Sequence, residues 1–205
     1  VARPSPAGRR ALYGLVLGNP SVRRSLVGFL LFQMVWFAWV TYLVVFLEKT
    51  FVLSPVLAAS LAPANGLGLA AGAILGGRFG DRSGHRVVPV PASIVLTVLY
   101  VVVTTAEVPL WIGVLLIFAV SVVTGARFAS TTVVLTEQVP EARGTIGALM
   151  ASMNGIGQSA GPASGGYLID GYGFGALGLL CAAGCVTSGL AFAGLGPDER
   201  RSAAV

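Results

Sequence analysis

The chain has 205 residues, of which 55% are hydrophobic and 10% charged, with a mean hydropathy of +0.85. That surplus of apolar side chains excludes an ordinary soluble domain, which at this length would close on one or two cores. The net charge of +5 does not point to nucleic acid, because the basic residues sit at the ends of apolar runs rather than along one face.

A hydrocarbon layer of about 30 Å takes about 20 apolar residues per helix, so the chain has room for six spans joined by short loops. It opens on Val1, and its native start is expected upstream. Residues 1–24 are rich in Pro, Arg and Gly and lack the ordered charge, apolar stretch and small-residue cleavage site of a signal peptide, so they read as a cytoplasmic arm or linker. Spans are predicted at 25–47, 55–79, 87–105, 110–136, 144–169 and 175–195, within a bundle over 25–196, and 197–205 read as a cytoplasmic tail. Backbone groups in lipid need internal partners, which makes each run a helix. The predicted fold class is therefore all-α and integral to the membrane: a bundle of six transmembrane helices.

Charge gives the orientation. Arg3, Arg9, Arg10, Arg23 and Arg24, then Arg78, Arg82 and Arg86, then Arg143, then Arg200 and Arg201 fall on one side, against Lys49 on the other. Positive loops stay inside, so both termini are predicted to be cytoplasmic in a multi-pass protein of the plasma membrane. Cys181 and Cys185 lie four apart on one helical face, which suits packing and not a disulfide. No metal site and no cofactor are predicted; the only histidine, His85, lies far from both thiols.

The spans differ in polarity. The third and sixth carry little beyond Ser, Thr and one Tyr, and are expected to face lipid. The others hold Gln33, Trp36, Asn65, Arg127, Asn154 and Gln158, which are candidates for lining a wet solute path, since polar groups in hydrocarbon usually face a cavity. In the first span, Gln33, Trp36, Phe37 and Val40 share a face, a combination that suits an amphipathic organic molecule as well as plain packing. Arg127 is the costliest residue, at about 2.5–3.5 kcal/mol on insertion scales. No acid lies deep in any span, so its partner is expected to be solute, water, a carbonyl or a group outside this chain, unless it snorkels to the interface.

Small residues form ridges. Gly68, Gly72 and Gly76 recur every fourth position, beside a second ridge of Gly66, Ala70, Ala73 and Gly77; Gly157, Gly161 and Gly165 repeat the device. Such ridges let helix backbones approach closely, either within this bundle or against a second one. Pro162 and Gly166 sit in the same fifth span, where proline frees a carbonyl and the glycines permit bending.

Three segments resemble the major facilitator superfamily of transporters. The stretch Gly77-Arg78-Phe79-Gly80-Asp81-Arg82-Ser83-Gly84-His85-Arg86 resembles its Gly-x-x-x-Asp-Arg-x-Gly-(Arg/Lys)-(Arg/Lys) loop, with His85 a departure. Glu137-Gln138-Val139-Pro140-Glu141-Ala142-Arg143-Gly144 resembles its Glu-x-x-Pro-x-x-x-Arg-Gly junction. Gly157, Gly161, Pro162, Gly165 and Gly166 match an antiporter signature whose upstream glycine is here Ala148. The resemblance runs from Asn19 to about Leu195 and implies half of a twelve-helix fold.

Several expectations follow from that resemblance. Ser121 stands where drug–proton antiporters carry an arginine in the fourth helix, which favours the carboxy-terminal half. The first and fourth helices would line a path, and the two halves would rock to alternate access. Asp81, Arg82, Glu137 and Arg143 are expected to form a charge latch at the cytoplasmic end, with Gly77, Gly84 and Arg86 in the same gating loop. Efflux of a small organic solute is the favoured activity; the coupling ion stays open, since proton coupling usually needs a membrane carboxylate and these spans hold none. The partners implied are the bilayer, a small-molecule substrate and the other six-helix half, on the same polypeptide or as a dimer mate. The alternatives are a half-size homodimer and a non-transporting scaffold. An intramembrane serine protease built on Ser164 would need a histidine base on a neighbouring helix, and His85 lies in a loop.

Overall fold

Proline marks where these helices begin. The computed structural model describes residues 6–194. Its helices are α1 (Pro6–Gly18), α2 (Pro20–Phe51), α3 (Pro55–Leu61), α4 (Pro63–Ser83), α5 (Pro89–Thr105), α6 (Leu110–Gln138), α7 (Arg143–Tyr172) and α8 (Phe174–Ala193). The first five start on a proline, whose missing amide donor costs nothing in the first turn. Asn19 Oδ1 accepts from Ser21 N at 2.9 Å and caps α2, and Ser54 Oγ caps α3 from Leu57 N at 3.4 Å. At its other end α2 closes on Val52, whose φ of 53° is the left-handed conformation that usually falls to glycine.

The helices agree closely with the predicted runs, with three differences. The second run is broken: Pro63 cannot continue the ladder, so α3 stops at Leu61 and α4 restarts. The residue 1–24 arm is not irregular. It carries α1, and α2 begins at Pro20, ahead of the predicted residue 25. Finally, among the described residues five helices are long and apolar enough to cross a membrane: Pro20–Phe51, Pro55–Ser83 (α3 and α4 together), His85–Thr105, Leu110–Gln138 and Phe174–Ala193. With 30 residues, α7 has the length but is diluted by Gly, Ser, Asn and Gln. The predicted tail, 197–205, lies outside the described residues.

Glycine contacts give the packing order. A Cβ on Gly68 would meet Ser121, and on Gly76 would meet Ala126, so α4 and α6 run side by side in the same direction. Likewise Gly157 faces Gln33 and Gly165 faces Ala38, which sets α7 parallel to α2. Antiparallel to α5, α8 places Gly178 on Thr104 and Gly189 on Ser93, and its other side meets α2 at Gly28 and Gly184. The outer surface of this α5–α8 pair is apolar, with Ile94, Val98, Leu179, Val186 and Leu190 exposed. Inside, Trp39 sits between Phe46, tilted by 51°, and Tyr100, edge-on at 71° (ring centroids 5.5 and 5.4 Å), in one cluster with Leu96, Cys181 and Cys185. A second cluster, around Val16, Val22, Leu26 and Ile146, clamps α1 to one end of the bundle.

Candidate solute groove

Four helices meet at a groove of about 220 Å³. Its wall is Phe32, Gln33, Trp36 and Phe37 from α2, Leu69 from α4, Thr124 and Phe128 from α6, and Asn154 from α7. The α2 residues come in adjacent pairs one turn apart, which is how a helix presents one broad face. Gln33 is brought up to α7 by a glycine. A Cβ at Gly157 would lie 2.7 Å from Gln33 Cβ, so any larger residue there would push α7 off.

Within that contact Gln33 Nε2 donates to Asn154 Oδ1. Gln33 Oε1 is buried and has no hydrogen-bond partner among the described residues. A buried unpaired acceptor is costly, and this one lies beside the aromatic wall of the groove. One turn beyond Asn154, Gln158 is exposed on α7.

Three of the predicted path residues lie outside this lining: exposed Gln158 and two that are buried, Asn65 and Arg127. Asn65 is buried in the α4–α6 contact, where Ser121 Oγ lies 2.6 Å from its Oδ1 and 2.8 Å from the Ile117 carbonyl. The close approach of α4 and α6 encloses it: at Gly72 a Cβ would collide with the Val122 carbonyl.

Arg127 is turned away from the groove and is fully buried among α2, α5, α6 and α8. Its guanidinium carbon lies 3.8 Å from the Phe32 ring centroid, and Phe32 separates it from the groove. Nη2 donates to Ser188 Oγ at 2.6 Å and Nε to the Pro89 carbonyl at 3.4 Å; Ser188 Oγ in turn donates to the Gly28 carbonyl. The carbonyl partner was one of the sequence expectations. The aromatic face and Ser188 were not, because nothing in the spacing of three separate spans signals their meeting.

At the arginine-rich end, Gly84 (φ 94°) closes α4, its N–H reaching Gly80 O at 2.8 Å. A side chain with a Cβ is strained at that φ. Asp81 does not pair with Arg143. Its Oδ1 lies 3.2 Å from His85 Nε2, one helical turn on, and the other side of that ring lies 3.5 Å from Ser130 Oγ of α6. The imidazole rests on Gly80, where a Cβ would collide with it. Arg82, Glu137 and Arg143 are exposed, whereas Gly77 and Arg86 are half-buried. His85, the departure from the superfamily pattern in this loop, has an i, i+4 spacing from Asp81 that is visible in the sequence.

The model of the Major Facilitator Superfamily matches residues 24–205. The chain belongs to that superfamily. No curated protein matches it. As a superfamily member with a membrane-embedded helical bundle, it serves membrane transport of a solute. The remaining ridge residues take their places accordingly. Gly161 lies against the Met34 carbonyl, and Gly166 is so close to the Tyr42 hydroxyl that a Cβ there would collide with it. That hydroxyl donates to the carbonyl of Pro162 at 3.0 Å, inside a helix that continues through the proline.

Proposed function

We propose that this chain is the carboxy-terminal six-helix half of an alternating-access transporter of the plasma membrane, and that the whole protein exports a small amphipathic organic solute. The groove carries this reading: an amide pair from two helices, with the Gln33 acceptor unmatched, set among Phe32, Trp36, Phe37 and Phe128. Aromatic and amide surfaces together suit a solute with a flat apolar body and one hydrogen-bonding end. The other half, on the same polypeptide or as a dimer mate, would cover it. Glycines with nothing within 4 Å, Gly66 and Gly77 on α4 and Gly144, Gly147 and Gly155 on α7, support a second backbone packing on that face. The arginine-rich end is taken as cytoplasmic. There the Asp81 loop, with Arg82, Glu137 and Arg143 beside it, would hold the halves closed.

The test is transport of a panel of fluorescent amphipathic dyes by cells expressing the whole gene. Energy-dependent loss of dye from loaded cells, weakened by Trp36→Ala, supports export. Dye uptake down its gradient, or a Trp36→Ala protein indistinguishable from wild type on every dye moved, overturns it.

A further inference from the structure

A second groove, of about 330 Å³, opens at the arginine-rich end of the bundle, where α2 begins beside the end of α8. It is lined by Pro20, Arg23, Arg24, Val27 and Ala191. We propose that it binds the headgroup of an anionic phospholipid.

The groove has two layers. Arg23 and Arg24 form the outer one, and Val27 and Ala191, about one turn deeper, form the inner one. This is the order in which a phospholipid presents phosphate and acyl chain to a helix entering the bilayer. Arg24 is placed by the fold: its Nη1 would lie 3.2 Å from a Cβ on Gly194, just past α8, where the helix dipole favours a cation. Among the described residues neither Arg23 nor Arg24 forms an ion pair with a carboxylate.

Helix α1 extends the surface. Val16 is fully buried against the bundle, whereas Tyr13, Leu15 and Leu17 on its other sides are exposed. A short helix fastened to the end of a membrane bundle with its apolar side chains outward suits the headgroup–acyl boundary. Basic pockets between helix ends on the inner side of a membrane attract anionic headgroups in the same way. The groove is separate from the solute groove and shares no lining residue with it.

The test is native mass spectrometry of the purified chain in detergent micelles with equimolar phosphatidylglycerol and phosphatidylcholine. Wild type is expected to retain phosphatidylglycerol preferentially, and Arg23→Gln/Arg24→Gln to hold it roughly tenfold more weakly. Val27→Trp, which fills the inner layer at an exposed position and keeps both charges, should weaken it comparably and decides the matter if the double variant does not fold. Arg78→Gln/Arg82→Gln, an equal charge loss at the same end, should retain the lipid. Equal loss in that control would reduce the effect to diffuse attraction and overturn the proposal. So would phosphatidylglycerol retention unchanged in Arg23→Gln/Arg24→Gln, or displacement of the lipid by inorganic phosphate at matched concentration, which marks a site for a free anion. Absence of lipid on wild type that is restored by Asp198→Asn/Glu199→Gln would assign the groove to the chain's own acidic residues instead.

Discussion

Gln33 on α2 donates its side-chain amide to Asn154 on α7, beside the glycine that lets these helices touch. The bond spans two helices on the groove wall, so each partner holds the other's rotamer while Gln33 Oε1 stays open. Asn154→Ala should raise the KM for a transported solute by about tenfold, the scale of leaving one buried polar group unmatched. Gln33→Ala should do the same, and the double variant should be little worse than either alone, because the two act as a unit. Additive losses in that cycle would mean that the amides act separately.

Two glycines on one helix should respond differently to the same methyl. At Gly72 a Cβ would run into the Val122 carbonyl, so Gly72→Ala has to move α6 or α4 as a whole. At Gly66 a Cβ would meet nothing within 4 Å. Thermal unfolding of the two variants in detergent checks this: Gly72→Ala is expected to cost about 2 kcal/mol, in the range for overpacking a tight contact, while Gly66→Ala leaves the melting temperature of this bundle unchanged. If Gly66→Ala nonetheless lowers transport by the whole protein, the outer ridge meets a second bundle.

Element type and placement were readable because lipid leaves few choices: a run of about 20 apolar residues has to be a helix. The break before Pro63 and the α1 helix were not. The first needs the knowledge that Ala62 N turns to the Ala59 carbonyl, which Pro63 cannot reach, and so ends α3 in a tighter turn. The second depends on tertiary burial of Val16 rather than on a membrane-length run. Side-chain destinations were harder still. Gln33, Trp36 and Asn154 share a groove, yet polarity sorting put Arg127 and Asn65 with them, because composition gives the helix and not the direction a residue faces around it.

Arg127 separates charge from volume. If it were replaced by methionine, Ser188 would still donate to the Gly28 carbonyl, and the Pro89 carbonyl would keep the Ser93 hydroxyl at 2.6 Å. Its neighbours would stay satisfied, and the desolvation cost of a buried cation would disappear. Arg127→Met should therefore melt at or above the wild-type temperature, while Arg127→Ala, which leaves a cavity beneath Phe32, should lose about 3 kcal/mol. An Arg127→Met protein that folds well but no longer transports would show that the charge is needed for function.

The loop at the arginine-rich end turns on a histidine that stands where the superfamily pattern has arginine or lysine. Asp81 is largely exposed, with 74% of its side-chain surface open, and His85 is 15% exposed, so their contact is screened on one side only. An exposed pair contributes at most about 1 kcal/mol. Its leverage comes from position: the same ring covers Gly80 and reaches Ser130 on α6, so losing it loosens the last turn of α4 against α6 beyond the Gly76 contact. Asp81→Asn and His85→Ala should each slow turnover by a similar factor, up to about fivefold, and the double variant should match the singles. Arg143→Gln combined with Asp81→Asn should instead multiply the two effects, because those residues make no pair here. Turnover measured for the five proteins decides between the two partners. A double Asp81→Asn/Arg143→Gln variant no slower than either single would return the latch to Arg143.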